Sequence, residues 1–377
     1  MSIKFRGLIA LLVVIGLSGL VMSCGGSSRP AGLLLVISQG ATDVNSYGIN
    51  LNTGVLTQIN TAAPVAANSI PTAIVLDPSG NFAYVANATN GGGPGSITAY
   101  SVKSDGRLSP VGSNPGTGVN PVALAIDHGG HFLFVANQGS DTVSVFSIGA
   151  NAALTQVGAF AVVTSVPGAP AATPSSVAVT PSGSFVFVAN AGQNTVSVFA
   201  VDAGTGALTA VAGSPFAAGT APAAVTVTPN GSYLYVANQG SNNISAFTIC
   251  SGAVPGCATI APGSLTSETV VSAGLAPGSL AVDPAGNFLY ATDRDSNQLS
   301  GYRITPSTGV LTAMSSGAVS TGTAPVFVAI HPAGNYLYVA NSGGDSISGF
   351  HLVTQSGVLG PLAAAPSASR PVGIAVK

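Results

Sequence analysis

Residues 336–352 read "YLYVANSGGDSISGFHL", and the chain says nearly the same thing elsewhere. "FLFVANQGSDTVSVFSI" runs from Phe132, "FVFVANAGQNTVSVFAV" from Phe185 and "YLYVANQGSNNISAFTI" from Tyr233. Each phrase alternates apolar and small or polar residues on either side of a short Asn- or Gly-containing break. That is the pattern of two strands joined by a tight loop. Working outward, each phrase is preceded by an apolar run that starts at a proline and by a turn such as "PSGN", "PNGS" or "PAGN". Glycine in that turn supplies a positive φ. Each phrase is followed by a Gly turn and one more short strand, as in "GTGALTAV". Four short strands in this order make one antiparallel blade.

The opening prolines are Pro71, Pro121, Pro174, Pro222, Pro277, Pro325 and Pro371, spaced by 50, 53, 48, 55, 48 and 46 residues. A period near 50 points to a propeller or a solenoid. After Pro371 only "VGIAVK" remains, which is one strand. "LLLVISQG", "VNSYGIN" and "NTGVLTQI" near the N-terminus read as the missing second, third and fourth strands. The expected fold is therefore all-β: a seven-bladed β-propeller of four-stranded antiparallel blades. Its ring closes by pairing the N-terminal strands with the C-terminal one, which removes an exposed edge. No distinct capping repeat, as a solenoid needs, is visible.

Composition agrees. The 377 residues include 49 Gly and 25 Pro, no Trp, 9 Lys or Arg and 11 Asp or Glu, for a net charge of −2. Many strands and turns are expected, with little helix. The absence of any basic run excludes a nucleic-acid-binding surface. The second strand carries Phe or Tyr at its first and third positions in six copies: Phe82 and Tyr84, Phe132 and Phe134, Phe185 and Phe187, Tyr233 and Tyr235, Phe288 and Tyr290, Tyr336 and Tyr338. Spacing by two puts each pair on one strand face, so these rings are expected to pack between blades.

The N-terminus has the layout of an export signal. Lys4 and Arg6 precede an apolar stretch of 15 residues, Leu8 to Met22, too short for an ordinary membrane span. "VMSC" at 21–24 resembles a bacterial lipobox. The resemblance implies a signal peptide at 1–23, a lipidated Cys24 opening a tether over 24–32, and a propeller over 33–377. It also implies a membrane anchor through Cys24 in the cell envelope. Gly25 rather than Asp after the cysteine implies the outer membrane. Cys250 and Cys257 are then expected to form a disulfide in an oxidising compartment. A metal site there would lack nearby ligands.

The repeated Asn (Asn87, Asn137, Asn190, Asn238, Asn341, with Asp293 in the fifth copy) recurs too often for an active-site residue. It is expected to brace the loop at the end of the second strand. Four residues later Asp141, Asn194, Asn242, Asn297 and Asp345 are expected to brace the same loop. Charge breaks the repeat at one place, where "ATDRDSN" replaces "VANQGSD". Asp293, Arg294 and Asp295, joined by Asp43, Asp141 and Asp345 in equivalent loops, are the candidate ligand contacts. His128, His131, His331 and His351 are expected at the opposite face as polar turn residues.

"HPAGN" followed by "YLYVAN" (331–341) resembles the YVTN-type repeat and the seven-bladed lactonase family that includes 6-phosphogluconolactonase. That family typically has Gly-Pro-Arg-His at the opening strand and Asn-Glu at the end of the second. Here the opening prolines are followed by Thr72-Ala73, Val122-Ala123, Ser175-Ser176, Ala223-Ala224, Gly278-Ser279, Val326-Phe327 and Val372-Gly373, and no motif Asn precedes Glu. Lactone hydrolysis calls for a cation near the carbonyl and an acid or base. The expectation is therefore a lipid-anchored cell-surface binding or scaffold module for a carbohydrate, peptide or protein ligand. It needs no cofactor and no metal. The other reading is a lactonase-like hydrolase with displaced catalytic groups.

Overall fold

A computed structural model describes residues 32–59, 65–66, 70–162, 170–250, 257 and 259–377. The signal, Cys24 and nearly all of the tether lie outside them. The described chain forms seven antiparallel sheets arranged in a ring. Blades 1 to 6 take their opening strands from Ile70–Leu76, Pro121–Ile126, Pro174–Val179, Pro222–Val227, Pro277–Val282 and Pro325–Ile330. Blade 7 takes Pro371–Val376 from the C-terminus and Gly32–Ser38, Asp43–Ile49 and Leu56–Gln58 from the N-terminus. Its closing register runs from Leu34 opposite Val376 to Ser38 opposite Pro371. The expected fold and ring closure are both present.

Consecutive opening strands are neighbours all the way round, the seventh touching the first, so they form the innermost layer. In five blades the fourth position is split into two short pieces on one third strand, such as Leu208–Ala210 and Phe216–Ala217 on Thr195–Val201. Blades 2 and 4 keep it whole. Two faces follow from the registers. The Asn face holds the opening prolines and the loops between second and third strands, since Pro121 pairs with Asn137 and Asn137 with Thr142. The turn face holds the other two turns of each blade.

The paired aromatics do pack between blades. Phe134, Phe187, Tyr84, Tyr235, Tyr290 and Tyr338 are fully buried. The first ring of each pair lies under a glycine in the third-to-fourth turn of the next blade. A Cβ at Gly206, Gly263, Gly309, Gly357 or Gly54 would strike Phe132, Phe185, Tyr233, Phe288 or Tyr336 respectively. All five glycines have positive φ, so both backbone and neighbour require glycine. The second ring adds a hydrogen bond across the same seam: Tyr235, Tyr290 and Tyr338 donate to the carbonyls of Gly309, Gly357 and Gly54 at 2.8, 2.6 and 2.8 Å. Blade 2 departs from the pattern. Its turn places Ala152 at φ 61°, and the buried Tyr84 hydroxyl of blade 1 has no partner among the described residues.

The Cys250–Cys257 disulfide is present, with Cα atoms 5.2 Å apart. Gly309→Ala should destabilise the protein by about 2–4 kcal/mol, combining left-handed strain with displacement of the Tyr233 ring. Ala152→Gly should stabilise it by about 1 kcal/mol by relieving the same strain. Urea denaturation of the two variants beside wild type checks both.

Candidate functional site

Every opening strand has the same irregularity. The register with the second strand skips the residue after the proline, between Pro121 and Ala123 for example, and likewise in all seven blades. Such a bulge turns the extra side chain out of the ladder. Here it turns toward the ring axis. A cavity of about 280 Å³ on the axis is lined by Thr72, Val122, Ser175, Gly278, Val326 and Val372 from the bulges, with the residues just after them. No titratable side chain lines it. Its hydroxyls are tied up in holding the ring together. Thr72 and Ser175 donate to the carbonyls of Pro121 and Pro222 in the following blades, at 2.7 and 2.6 Å. Ser176 and Ser279 accept the amides of Val225 and Val328, each at 3.2 Å. The wall of the channel is neutral and committed to the fold.

Charge appears one layer higher, at the mouth on the Asn face. Two rings of residues form this rim. The first is the residue before each opening proline, which has positive φ at Asn120, Thr173, Ala221, Ala276, Ala324 and Arg370. The second is the residue after each motif Asn. Its amide donates to the carbonyl of the first: Gln138 to Asn120, Gln239 to Ala221, Arg294 to Ala276 and Gln39 to Arg370, at 2.9–3.2 Å. Only Arg294 and Arg370 are charged in these two rings. Gln39, Gln138 and Gln239 stand where the lactonase resemblance expects Glu.

The strained backbone of the first ring is held by the fourth residue after the motif Asn. Asp141, Asn194, Asn242, Asn297 and Asp345 accept the amides of Thr173, Ala221, Ala276, Ala324 and Arg370 at 2.7–2.8 Å. These side chains therefore brace the start of the following blade rather than their own loop. The motif Asn bonds within its own blade through its amide group and, at Asn137 and Asn238, to the end of the preceding blade through its oxygen. Asn137 is fully buried and donates to Thr142 and Ser144 at 3.1 and 2.9 Å, while its oxygen accepts the Gly118 amide. Asn190, Asn238 and Asn341 repeat the bond to the serine seven residues on. Antiparallel pairing sets this partner, because the serine lies two residues beyond the one facing Asn.

The candidate ligand contacts are not gathered in one place. Asp293 is fully buried and occupies the Asn position, accepting Ser300 Oγ at 2.5 Å and the Gly274 amide at 3.0 Å. Asp43 is buried in blade 7 and accepts from Asn45 at 2.7 Å. Asp141 and Asp345 are the braces just described. Arg294 and Asp295 do meet, at 2.8 Å, on the exposed rim. That hydrogen bond holds the Asp295 carboxyl below its ordinary range. Arg370 carries no ion pair among the described residues. The sequence reading passed over it, although comparing the residues before the seven prolines would have singled it out. The four histidines lie at the turn face. His331 is buried there, burial lowers its pKa, and its Nδ1 accepts the Ala333 amide at 3.1 Å. His131 faces Asp127 at 3.3 Å.

The family model described as "Lactonase, 7-bladed beta-propeller" matches residues 38–376. The chain belongs to this family. The match overturns the expectation of a cell-surface binding or scaffold module, which rested on the missing Arg-His and Asn-Glu pairs alone. Those pairs can change while the ring of blades persists. A 6-phosphogluconolactonase of Formosa agariphila is 40% identical over 74 residues, which are 19% of this chain and 20% of that protein. The match thus spans about a fifth of the curated relative. Among solved structures, the periplasmic gluconolactonase of Pseudomonas aeruginosa superposes with a TM-score of 0.76 at 22% identity, covering 92% of this chain and 98% of that one. A protein of Lactobacillus plantarum gives 0.77 at 20%, covering 92% and 99%. At these identities the likeness establishes the fold.

Burial holds the Asp293 carboxyl above its ordinary value of 3.8, outweighing the two hydrogen bonds that favour its charged form. The folded state binds that proton more tightly than the unfolded chain. The resulting stabilisation is present below the unfolded pKa and is lost as pH rises through the folded one. Asp293→Asn should therefore raise the Tm at pH 7, with the gain shrinking as pH falls toward 4. Asp293→Ala, which orphans the Gly274 amide and the Ser300 hydroxyl, should cost about 1–3 kcal/mol. Thermal unfolding across pH 4 to 8 separates the two.

Proposed function

We propose that the protein is a lactone hydrolase whose substrate sits at the channel mouth on the Asn face. What supports this reading is the lactonase-family match across nearly the whole propeller. The sugar-lactone class comes from the names of the relatives. The chemistry asked of the site is modest. Water adds to the ring carbonyl, charge builds on the carbonyl oxygen, and the ring C–O bond breaks to leave a hydroxy acid. Six-membered sugar lactones open slowly in water unaided. A donor aimed at the developing oxyanion, with the lactone held still above it, supplies the electrostatic part of the catalysis, while solvent water takes the attacking water's proton and protonates the departing ring oxygen.

Arg370 is our choice for that donor. It adjoins an opening strand, it is exposed at the rim, and its guanidinium stays charged at every relevant pH. Arg294 at the same rim is already paired with Asp295. The neutral channel below offers a floor without competing charges. The envelope location and lipidation at Cys24 belong to this proposal and rest on the leader sequence.

Purified protein should open glucono-1,5-lactone or its 6-phosphate well above the buffer rate, read by acid release in weak buffer. Arg370→Ala should lower kcat about 100-fold, the usual size for one oxyanion donor. Stability should stay within about 0.5 kcal/mol, the range for a surface substitution. Alanine already fills the equivalent place at Ala221, Ala276 and Ala324, so the fold tolerates it. Equal turnover by both proteins would remove Arg370 from the mechanism. No turnover of any sugar lactone by folded protein would sink the lactonase reading.

A further inference from the structure

We propose that the turn face of blades 6, 7 and 1 rests on the bilayer that holds the lipid anchor, so that the channel mouth points away from the membrane. The inference rests on acylation at Cys24 and is independent of the lactonase reading.

The direction of the first strand carries the argument. Gly32 pairs with Ile49, and Ser38 pairs with Asp43 and Pro371. The strand therefore runs from the turn face up to the Asn face, and the chain coming from Cys24 joins the propeller at the turn face. Seven residues, 25–31, separate Cys24 from Gly32. Fully extended they reach about 25 Å. An opening strand of six residues is about 20 Å tall. A tether that short favours the face at which it attaches, because reaching past the opposite rim would use nearly all of its length.

The surface around that attachment has the make-up of a membrane contact. Six large apolar side chains are exposed among the described residues, and four of them lie at this face: Leu51 (38% exposed), Val55 (42%), Val353 (37%) and Val358 (42%). They occupy the third-to-fourth turns of blades 7 and 6. The two blades are stitched together there by the Tyr336 hydroxyl, which donates to the Leu51 carbonyl at 3.1 Å. Leu51 adjoins Gly32 itself: a Cβ on that glycine would sit 3.0 Å from the Leu51 side chain. On the other side of the attachment, in the seam with blade 1, a cavity of about 300 Å³ is lined by Leu33, Asn81, Lys103, Ser104 and Lys377. The Lys377 ammonium donates to the Gly80 carbonyl, and the exposed Lys103 ammonium is the one that suits a lipid phosphate. Arg107 nearby is paired with Asp105. Apolar tips beside lysines are what the headgroup boundary of a bilayer accepts, each alone weakly and together with an acyl anchor firmly.

The test uses the full acylated chain in vesicles of phosphatidylcholine with an anionic phospholipid. A fluorophore is placed at Val55→Cys or at Ala41→Cys, exposed sites on opposite faces of blade 7. A nitroxide on the lipid headgroup should quench the label at 55 at least threefold more than the label at 41. Replacing Leu51, Val55, Val353 and Val358 together with serine, and moving the label to Thr53→Cys, should abolish that difference while the protein stays in the vesicle fraction. Equal or reversed quenching overturns the proposal, as does a chain that is not acylated or does not partition into vesicles. Self-quenching at 55 that deepens with protein density, without lipid quenching, would mean that a second copy covers the face, and overturns it too. Lactone turnover in the same vesicles reads the catalytic proposal separately.

Discussion

An aromatic ring beneath a glycine turn is the contact on which the propeller depends. Strands pair only within a blade, and backbone hydrogen bonds between blades are confined to the loops, such as the Gly139 amide on the Val119 carbonyl at 2.9 Å. Over the rest of each seam the rings of Phe132, Phe185, Tyr233, Phe288 and Tyr336 join the blades by filling the space under Gly206, Gly263, Gly309, Gly357 and Gly54. Burying such rings is worth about 1.5–3 kcal/mol apiece relative to exposure. Where the tyrosine hydroxyl also reaches the glycine carbonyl, the seam gains direction as well as contact. At the seam between blades 7 and 1 no ring lies under the turn glycine, although the buried Tyr100 packs nearby. Gly106 meets Leu33 and Ile59 instead, because the N-terminal strand reads "LLLV". The two ends of the described chain meet inside blade 7, through the Leu33–Lys377 backbone pair at 2.9 Å in both directions.

The polar residues of the repeat solve a second problem, which is how to start each blade. The chain must turn sharply from the outermost strand to the innermost one, and it does so through a left-handed residue just before the proline. A side chain from the preceding blade accepts that residue's amide in five of the six cases. Asp and Asn serve equally, since only an acceptor oxygen is needed. This is why Asp141 and Asp345, which look like members of a ligand set, are separate fastenings on different blades. The buried Asn joins the second and third strands of its own blade and, at Asn137 and Asn238, also accepts an amide from the chain leaving the preceding blade.

Function is confined by this arrangement to places the fastening does not use. Six bulge residues line the axial cavity, and in this protein they are small, apolar or hydroxylic, with the Thr72 and Ser175 hydroxyls donating between blades. The rim above is where Arg370 and Arg294 stand, and where three glutamines hold positions expected for glutamate. The same ring can thus lose one set of charged groups and present another without disturbing its seams. That is why the missing pairs misled the functional reading while the fold reading held.

The sequence by itself determined the number of blades, the order of strands, the closing of the ring from both chain ends and the inward packing of the aromatics. Each follows from a short-range pattern: alternation of period two, glycine at turns, and a repeat near 50 residues. The disulfide was legible for the same reason, its cysteines being seven residues apart. What only the tertiary structure decided were relations between blades. The partner of Asp141 is an amide 32 residues away, and the bulge after each proline shows only in the pairing register. Arg370 belongs to a rim built from residues of all seven blades. Such neighbours belong to different blades or different strands, and the packing of blade on blade is what brings them together.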